Sequence, residues 1–303
     1  MNTENIVTKI KALAREKNAV ILAHNYQLGE IQDIADFVGD SLELSQKAAA
    51  TGARLIVFCG VHFMAETSAI IAPASKVLLP DAHAGCPMAD MITVAGLRRM
   101  KEKLPGRPVV CYVNSSAEVK AESDICCTSA NAVKVVESVP NPEVIFVPDQ
   151  YLGYYVQQHT TKRIHFWPGY CPTHARVLPE QILELKADHP NAKAMVHPEC
   201  RPEVAAVADA VLSTGGMIRY ARDPSINEFI VGTEMGIIHR LRKENPGKKF
   251  YPVSEQAVCP NMKLITLEKV LYTLETEEPQ VIVPELVADR ARRAIERMLE
   301  IKS

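Results

Sequence analysis

The dipeptide Cys-Pro occurs three times in the chain and nowhere else, at Cys86-Pro87, Cys171-Pro172 and Cys259-Pro260, with spacings of 85 and 88 residues. A recurrence at this period marks copies of one supersecondary unit. Length alone, at 303 residues, suggests about two domains; the repeat replaces two by three. Each Cys-Pro follows a basic residue and a short apolar run, Lys76-Val77-Leu78-Leu79, Lys162 to Trp167, and Lys248-Lys249-Phe250-Tyr251. A helical pattern resumes six to eight residues later, as in Thr93 to Lys103 and Thr266 to Leu274. Proline ends a strand and fixes a turn, so each cysteine is expected on a loop at the carboxyl end of a strand.

A second signal runs in phase with the first. Apolar strands end in polar tips at His24-Asn25-Tyr26, Tyr112-Val113-Asn114 and His197-Pro198-Glu199, and seventeen residues after the first residue of each tip come Ser41, Ser129 and Thr214. These hydroxyls fall near predicted helix starts and read as N-caps. A further strand follows at Leu55 to Phe58, Val144 to Val147 and Phe229 to Val231. The unit therefore reads strand, polar tip, hydroxyl cap, helix, strand, helix, strand, Cys-Pro, helix. Strands alternating with amphipathic helices specify an α/β class with parallel sheets, here three homologous αβα sandwich domains around a pseudo-threefold axis. The expected division is 1–85 plus 277–303, 86–170 and 171–276, with Gln280 to Val283 and the amphipathic Leu286 to Ile301 returning to the first domain. Ligands bind beyond the carboxyl ends of strands in such sheets, so three cysteines, three tips and three hydroxyls should meet in one cavity.

Three thiolates from separate loops can hold zinc with an open fourth position or three irons of a [4Fe-4S] cluster whose fourth iron is free. The absence of a short Cys-x-x-Cys chelate favours the cluster, whose size lets it bridge three loops. No Cys-x-x-x-Cys-x-x-Cys run is present, which argues against S-adenosylmethionine radical chemistry. An open iron suits dehydration by Lewis-acid action. Cys59, Cys111, Cys126 and Cys127 read as core packing, and Cys200 as the substitute should one of the three ligands be wrong. Hydroxyls at helix starts suit an anionic substrate, and His24, Tyr26, Tyr112, His174, His197 and Glu199 supply acid-base groups, with Asn114 orienting an oxygen. His62, His83, His159, His165, His189 and His239 lack repeat partners and read as structural; Asp33, Asp36 and Asp40 read as a solvated helix face.

Charge and targeting narrow the setting. Thirty-four basic against 36 acidic side chains leave a formal net charge of -2, with no basic excess for a phosphate backbone, so nucleic acid is not an expected partner. The longest apolar stretch, Leu55 to Pro73, carries His62, Glu66, Thr67 and Ser68 and is too polar to span a bilayer. The N-terminal residues lack a secretion pattern. A cytoplasmic protein with reduced cysteines is expected, without a membrane partner.

Taken together, these stretches resemble the quinolinate synthase family of NAD biosynthesis: Ala23-His24-Asn25-Tyr26-Gln27, Gly39-Asp40-Ser41-Leu42, Cys59 to Glu66, Gly85-Cys86-Pro87-Met88-Ala89, Tyr112-Val113-Asn114, Cys127 to Ala132, Trp167 to His174, His197-Pro198-Glu199-Cys200, Ser213 to Met217 and Cys259 to Lys263. The resemblance implies a [4Fe-4S] cluster on Cys86, Cys171 and Cys259. It implies condensation of iminoaspartate with dihydroxyacetone phosphate to quinolinate, with loss of phosphate and two waters. Substrate-binding positions carry over onto His24, Ser41, Tyr112, Asn114, Ser129, His197, Glu199 and Thr214; the catalytic tyrosine and second histidine fall on Tyr26 and His174. A transient contact with an iminoaspartate-producing L-aspartate oxidase or aspartate dehydrogenase follows. The C-terminal cysteine pair of longer members is missing here. A hydro-lyase of another family and an iron-sulfur sensor are the competing readings; dihydroxyacetone phosphate consumption discriminates the first, an exposed basic helix the second.

Overall fold

Apolar runs of two to six residues, flanked by polar tips, form three separate four-stranded sheets in the computed structural model, which describes residues 2–301. The first sheet holds β1 (Ala19–His24), β2 (Phe37–Gly39), β3 (Leu55–Cys59) and β4 (Lys76–Leu78); the second holds β5 (Val109–Tyr112), β6 (Ile125–Cys127), β7 (Glu143–Val147) and β8 (Arg163–Phe166). The third holds β9 (Lys193–Val196), β10 (Ala210–Val211), β11 (Glu228–Gly232) and β12 (Lys249–Pro252). All pairings are parallel, and the three sheets share one order, β2-β1-β3-β4 and its equivalents. Strands β3 and β11 are buried nearly throughout, as continuous Leu-Ile-Val-Phe and Phe-Ile-Val runs demand when helices cover both faces. The three αβα sandwich units expected from the repeat are therefore present. The expected outer bounds, 1 and 303, lie outside the described residues.

The repeat expected three strands per unit; each has four. The additional strands β2, β6 and β10 are only two or three residues long, too short for a hydrophobic pattern to announce them. An aspartate pins each one. The carboxylates of Asp36, Asp124 and Asp209 accept the backbone N–H of Ile21, Val109 and Ala194 at 2.7–2.8 Å, always fifteen residues earlier. Their own N–H groups return a bond to the same residue's carbonyl. A two-bond ring thus holds a strand that its few ladder bonds would leave marginal. The expectation of a solvated acidic helix face fails for two of its three members: Asp36, although exposed, is tied into this ring and Asp40 is a buried helix cap, while Asp33 is exposed and pairs with Lys243 and His239.

The chain's last segment ties units together. Gln280 bridges Leu78 antiparallel, and Val281 donates to Val77, so this segment returns to the edge of the first sheet without forming a strand. Helix Glu285–Leu299 then packs against helix His62–Ile71, helix Ala117–Ala121 and β6, joining the first and second units. Its amphipathic pattern buries Ala288, Ala291, Ala294, Ile295 and Met298. Where the third unit meets the first, two glycines are required by space. A Cβ on Gly236 would stand 2.5 Å from the Tyr26 carbonyl oxygen, and one on Gly215 would stand 2.5 Å from an Asp40 carboxylate oxygen. No helix of the described residues is long and apolar enough to cross a membrane.

Candidate active site

All thirteen side chains proposed for the site from the sequence line one central cavity of about 60 Å³ formed where the three sheets present their carboxyl ends. Strand ends deliver the tips, and the loops after β4, β8 and β12 deliver the cysteines.

Ser41, Ser129 and Thr214 do not cap their helices, contrary to expectation. Helix Ser41–Ala50 is capped by Asp40, whose carboxylate accepts from Leu42 and Glu43 in a reciprocal capping box, and helix Thr214–Tyr220 is capped by Ser213, which accepts from Gly216. Helix Ala132–Ser138 starts three residues after Ser129, with Asn131 at its N-cap position. Sequence proximity to a helix start could not tell the cap from its neighbour. The consequence favours binding: with the preceding residues capping, the hydroxyls of Ser41 and Thr214 face the cavity at the first helical position, where the helix's positive end favours anions.

The first and third tips share a local turn. Tyr26 N–H donates to His24 Nδ1 at 3.2 Å, and Glu199 N–H donates to His197 Nδ1 at 3.3 Å. An Nδ1 that accepts leaves the proton on Nε2 in a neutral imidazole. Burial holds both histidines neutral, lowering each to about 3. His24 and His197 are thus N–H donors, and His197 Nε2 lies 3.2 Å from Ser129 Oγ.

Glu199 is the junction. Its Oε1 accepts from Tyr112 OH at 2.6 Å and from Asn114 Nδ2 at 3.3 Å, while its Oε2 lies 2.7 Å from His174 Nδ1. Burial alone would raise this carboxyl; the nearby imidazoles of His174 and His197 and the Tyr112 hydroxyl outweigh it and hold the group at about 2. His174 stacks on His197 with centroids 4.8 Å apart and also contacts Cys171 Sγ at 3.1 Å. Its Nε2 lies 2.8 Å from Thr233 Oγ1, which is 2.5 Å from Tyr26 OH. Burial raises Tyr26 and Tyr112 well above the ordinary phenol range, so both keep their protons. Asn114 lines the cavity, and its Oδ1 is buried without a partner.

The three Cys-Pro turns share a further property. Proline has no N–H, and the backbone N–H groups that follow it favour the charged form of the sulfur: Met88 and Ala89 at Cys86, His174 at Cys171, Asn261 and Met262 at Cys259. Short helical turns begin directly at or after the proline, a feature the sequence reading missed. Burial pushes the Cys86 thiol up to about 12 and raises Cys171 and Cys259 as well. The loops brace one another: Asn261 Nδ2 donates to Gly85 O at 2.8 Å, and Trp167 Nε1 donates to Met91 O at 3.0 Å. Cys171, His174 and Glu199 are, among the described residues, the one group of three metal-capable side chains whose ligand atoms fall within 4.8 Å of one another. Cys59, Cys111, Cys126, Cys127 and Cys200 are buried and lie outside the cavity lining. Cys200 Sγ instead lies 3.5 Å from Gly232 O.

Sequence reasoning misread Asp40 as solvated and missed Thr233, Glu234 and Lys263. Glu234 is fully buried, accepts from Cys259 N–H at 3.1 Å and pairs with Lys263 at 2.8 Å, while Lys263 also donates to Tyr26 O. The available signal was positional: Thr233-Glu234 extends β11 past its carboxyl end, where a tip should be weighed as those of β1, β5 and β9 were.

Comparison with known proteins bears on the whole chain. The family described as Quinolinate synthetase A protein matches residues 8–300. A quinolinate synthase of Dehalococcoides mccartyi is 64% identical over 301 residues, covering 99% of this chain and 100% of the relative. Quinolinate synthases of Geobacter metallireducens and Methanosarcina barkeri are each 56% identical, covering 99% and 100% of this chain and 99% of each relative. Matched end to end at these identities, and carrying one central cavity at the meeting point of three repeated units, the chain belongs to the quinolinate synthetase A family of enzymes.

Proposed function

We propose that this enzyme condenses iminoaspartate with dihydroxyacetone phosphate, giving quinolinate, inorganic phosphate and two waters, as a cytoplasmic step of NAD biosynthesis. The observation that carries this reading is the convergence on Glu199 of donors from the second and third units, Tyr112 and Asn114 from one and His174 from the other, in a cavity that all three units line with a cysteine and a hydroxyl. Both substrates are anionic. Ser41, Ser129 and Thr214, with the Nε2–H groups of His24 and His197, are the donors for carboxylate and phosphate oxygens.

A [4Fe-4S] cluster held by Cys86, Cys171 and Cys259 fits the donor set. Backbone N–H groups of the turn favour the thiolate at each sulfur, and the three sulfurs do not gather as closely as Cys171, His174 and Glu199 do, as the span of a cluster rather than a single ion requires. When bound, the cluster supplies an iron with an open coordination position, a Lewis acid for a hydroxyl or carboxylate oxygen.

The protein's own groups divide the remaining work. Ionised Glu199, oriented by Tyr112 and Asn114, accepts protons or steadies positive charge on His174 during carbon-carbon bond formation and keto-aldehyde isomerisation. Tyr26, which keeps its proton, donates. His24 and His197 orient oxygens rather than remove protons, because their Nδ1 atoms are occupied. Closing of the amine on the aldehyde and loss of water complete the aromatic ring. Residues 1–85 with 277–303, 86–170 and 171–276 act as the three domains, and an L-aspartate oxidase or aspartate dehydrogenase supplies the unstable imine.

Anaerobic purification, iron and sulfide analysis, and addition of the two substrates test the proposal. Iron with matching sulfide and quinolinate formed with phosphate are expected. A loaded protein that forms no quinolinate overturns the reaction; zinc, or iron without sulfide, overturns the cluster and points to Cys171, His174 and Glu199 as a single-ion site.

A further inference from the structure

Thr214 faces the cavity, and its hydroxyl oxygen accepts from Asn25 Nδ2 at 2.9 Å. Asn25 is fully buried at the first tip, and its side-chain oxygen accepts from Arg240 Nη1 at 2.8 Å. The same Arg240 nitrogen donates to Val38 O at 2.7 Å, and its Nε donates to Glu244 at 2.6 Å. Arg240 lies on helix Ile237–Glu244 of the third unit, as Thr214 lies on helix Thr214–Tyr220 of the same unit, whereas Asn25 belongs to the first.

A guanidinium can only donate. The Asn25 oxygen must therefore face Arg240, and its NH₂ must face Thr214. A threonine oxygen that already accepts from an amide directs its own hydrogen elsewhere, and among the described residues no acceptor is paired with that hydrogen. We infer that Arg240 and Asn25 are positioning residues that fix Thr214 as a hydrogen-bond donor into the cavity, so that the group held there is an acceptor, a carboxylate or phosphate oxygen of the substrate. The inference rests on the proposed reading of Thr214 as a substrate contact. It adds that this contact is set only when the first and third units are docked, because the amide comes from one and both its partners from the other.

Asn25→Asp tests it with near-identical shape. An aspartate keeps the Arg240 contact but accepts from Thr214, turning the hydroxyl hydrogen away from the cavity. In the iron-loaded enzyme KM for one substrate should rise about tenfold or more, the worth of a hydrogen bond to a charged group, with kcat changed less than about threefold on the same reasoning that uniform binding is lost. Quinolinate affinity, measured by calorimetry, should fall in parallel. Repulsion by the new carboxylate is separated by a double-mutant cycle: Thr214→Val and the Asn25→Asp, Thr214→Val pair should match if Asn25 acts through Thr214, and differ if it acts by charge alone. Arg240→Gln, which lets the amide turn over, should shift KM in the same direction, and Arg240→Lys should restore part of it. Wild-type affinity and KM in Asn25→Asp, or additive effects in the cycle, overturn the positioning role. Wild-type protein that neither binds nor forms quinolinate overturns the functional reading beneath it as well.

Discussion

The tips of β1 and β9 and the tip of β5 occupy equivalent places in equivalent sheets, yet they carry different chemistry. In the first and third, a histidine at the strand end takes a backbone N–H on Nδ1 from two residues later and presents Nε2–H to the cavity. In the second, Tyr112 replaces the histidine and its hydroxyl reaches across to Glu199 of the third unit. Backbone repetition has been kept while the side chains have diverged. A threefold scaffold can thereby hold a reaction that has no threefold symmetry, with the one carboxylate of the third tip receiving both polar side chains of the second.

That contrast separates positions expected to respond alike from positions expected to respond differently. The cysteines are alike, so Cys86→Ser, Cys171→Ser and Cys259→Ser should each abolish bound iron and activity, whereas Cys59→Ala, deep in β3, should retain iron; iron analysis of the four proteins decides it. Unequal loss among the three would break the equivalence. The tips are unlike, and the largest single effect there belongs to Glu199. Glu199→Gln should lower kcat by about 10² to 10⁴, the range for a positioned acid-base group, as read from quinolinate formation. Tyr112→Phe removes one of that carboxylate's partners and should cost about tenfold, the worth of one charge-assisted hydrogen bond.

The paired histidine tips also make a pH prediction. Folded, His24 and His197 take up protons only near pH 3; in the unfolded chain they do so near 6.5. Between those values the unfolded state binds more protons, so stability falls as pH falls. Glu199, at about 2 folded against 4.5 unfolded, adds a loss in the same direction below about 4.5. The melting temperature should therefore decline from pH 7 toward 5, and His24→Gln should flatten that slope by removing one of the two groups; an unchanged slope would show that the histidine is not held neutral. The smallest effects test the repeat itself: Asp36→Asn, Asp124→Asn and Asp209→Asn each weaken one strand-pinning ring and should each cost about 1–3 kcal/mol in denaturant unfolding.

The sequence was informative where structure is periodic. Three Cys-Pro turns, three tips and three hydroxyls at constant spacing announced three α/β units and a shared cavity, because residues at one phase of a repeat fall at one place in each copy. It misled where a neighbour could serve instead. Ser41 and Thr214 were read as caps although Asp40 and Ser213 do the capping, a choice of one residue that backbone geometry makes and spacing does not. Strands of two or three residues were invisible because no alternation fits in so short a span.

What the chain determined by itself, then, is the unit, its number and the residue types brought to the cavity, all consequences of local pattern repeated in phase. What only the tertiary structure decided is how the units address one another: Thr233 set between Tyr26 and His174, Tyr112 on Glu199, Arg240 holding Asn25 against Thr214. Those bonds join residues dozens to hundreds of positions apart on different sheets. Their existence depends on the relative placement of the packed units, fixed by burial over whole faces, and no spacing along the chain records it.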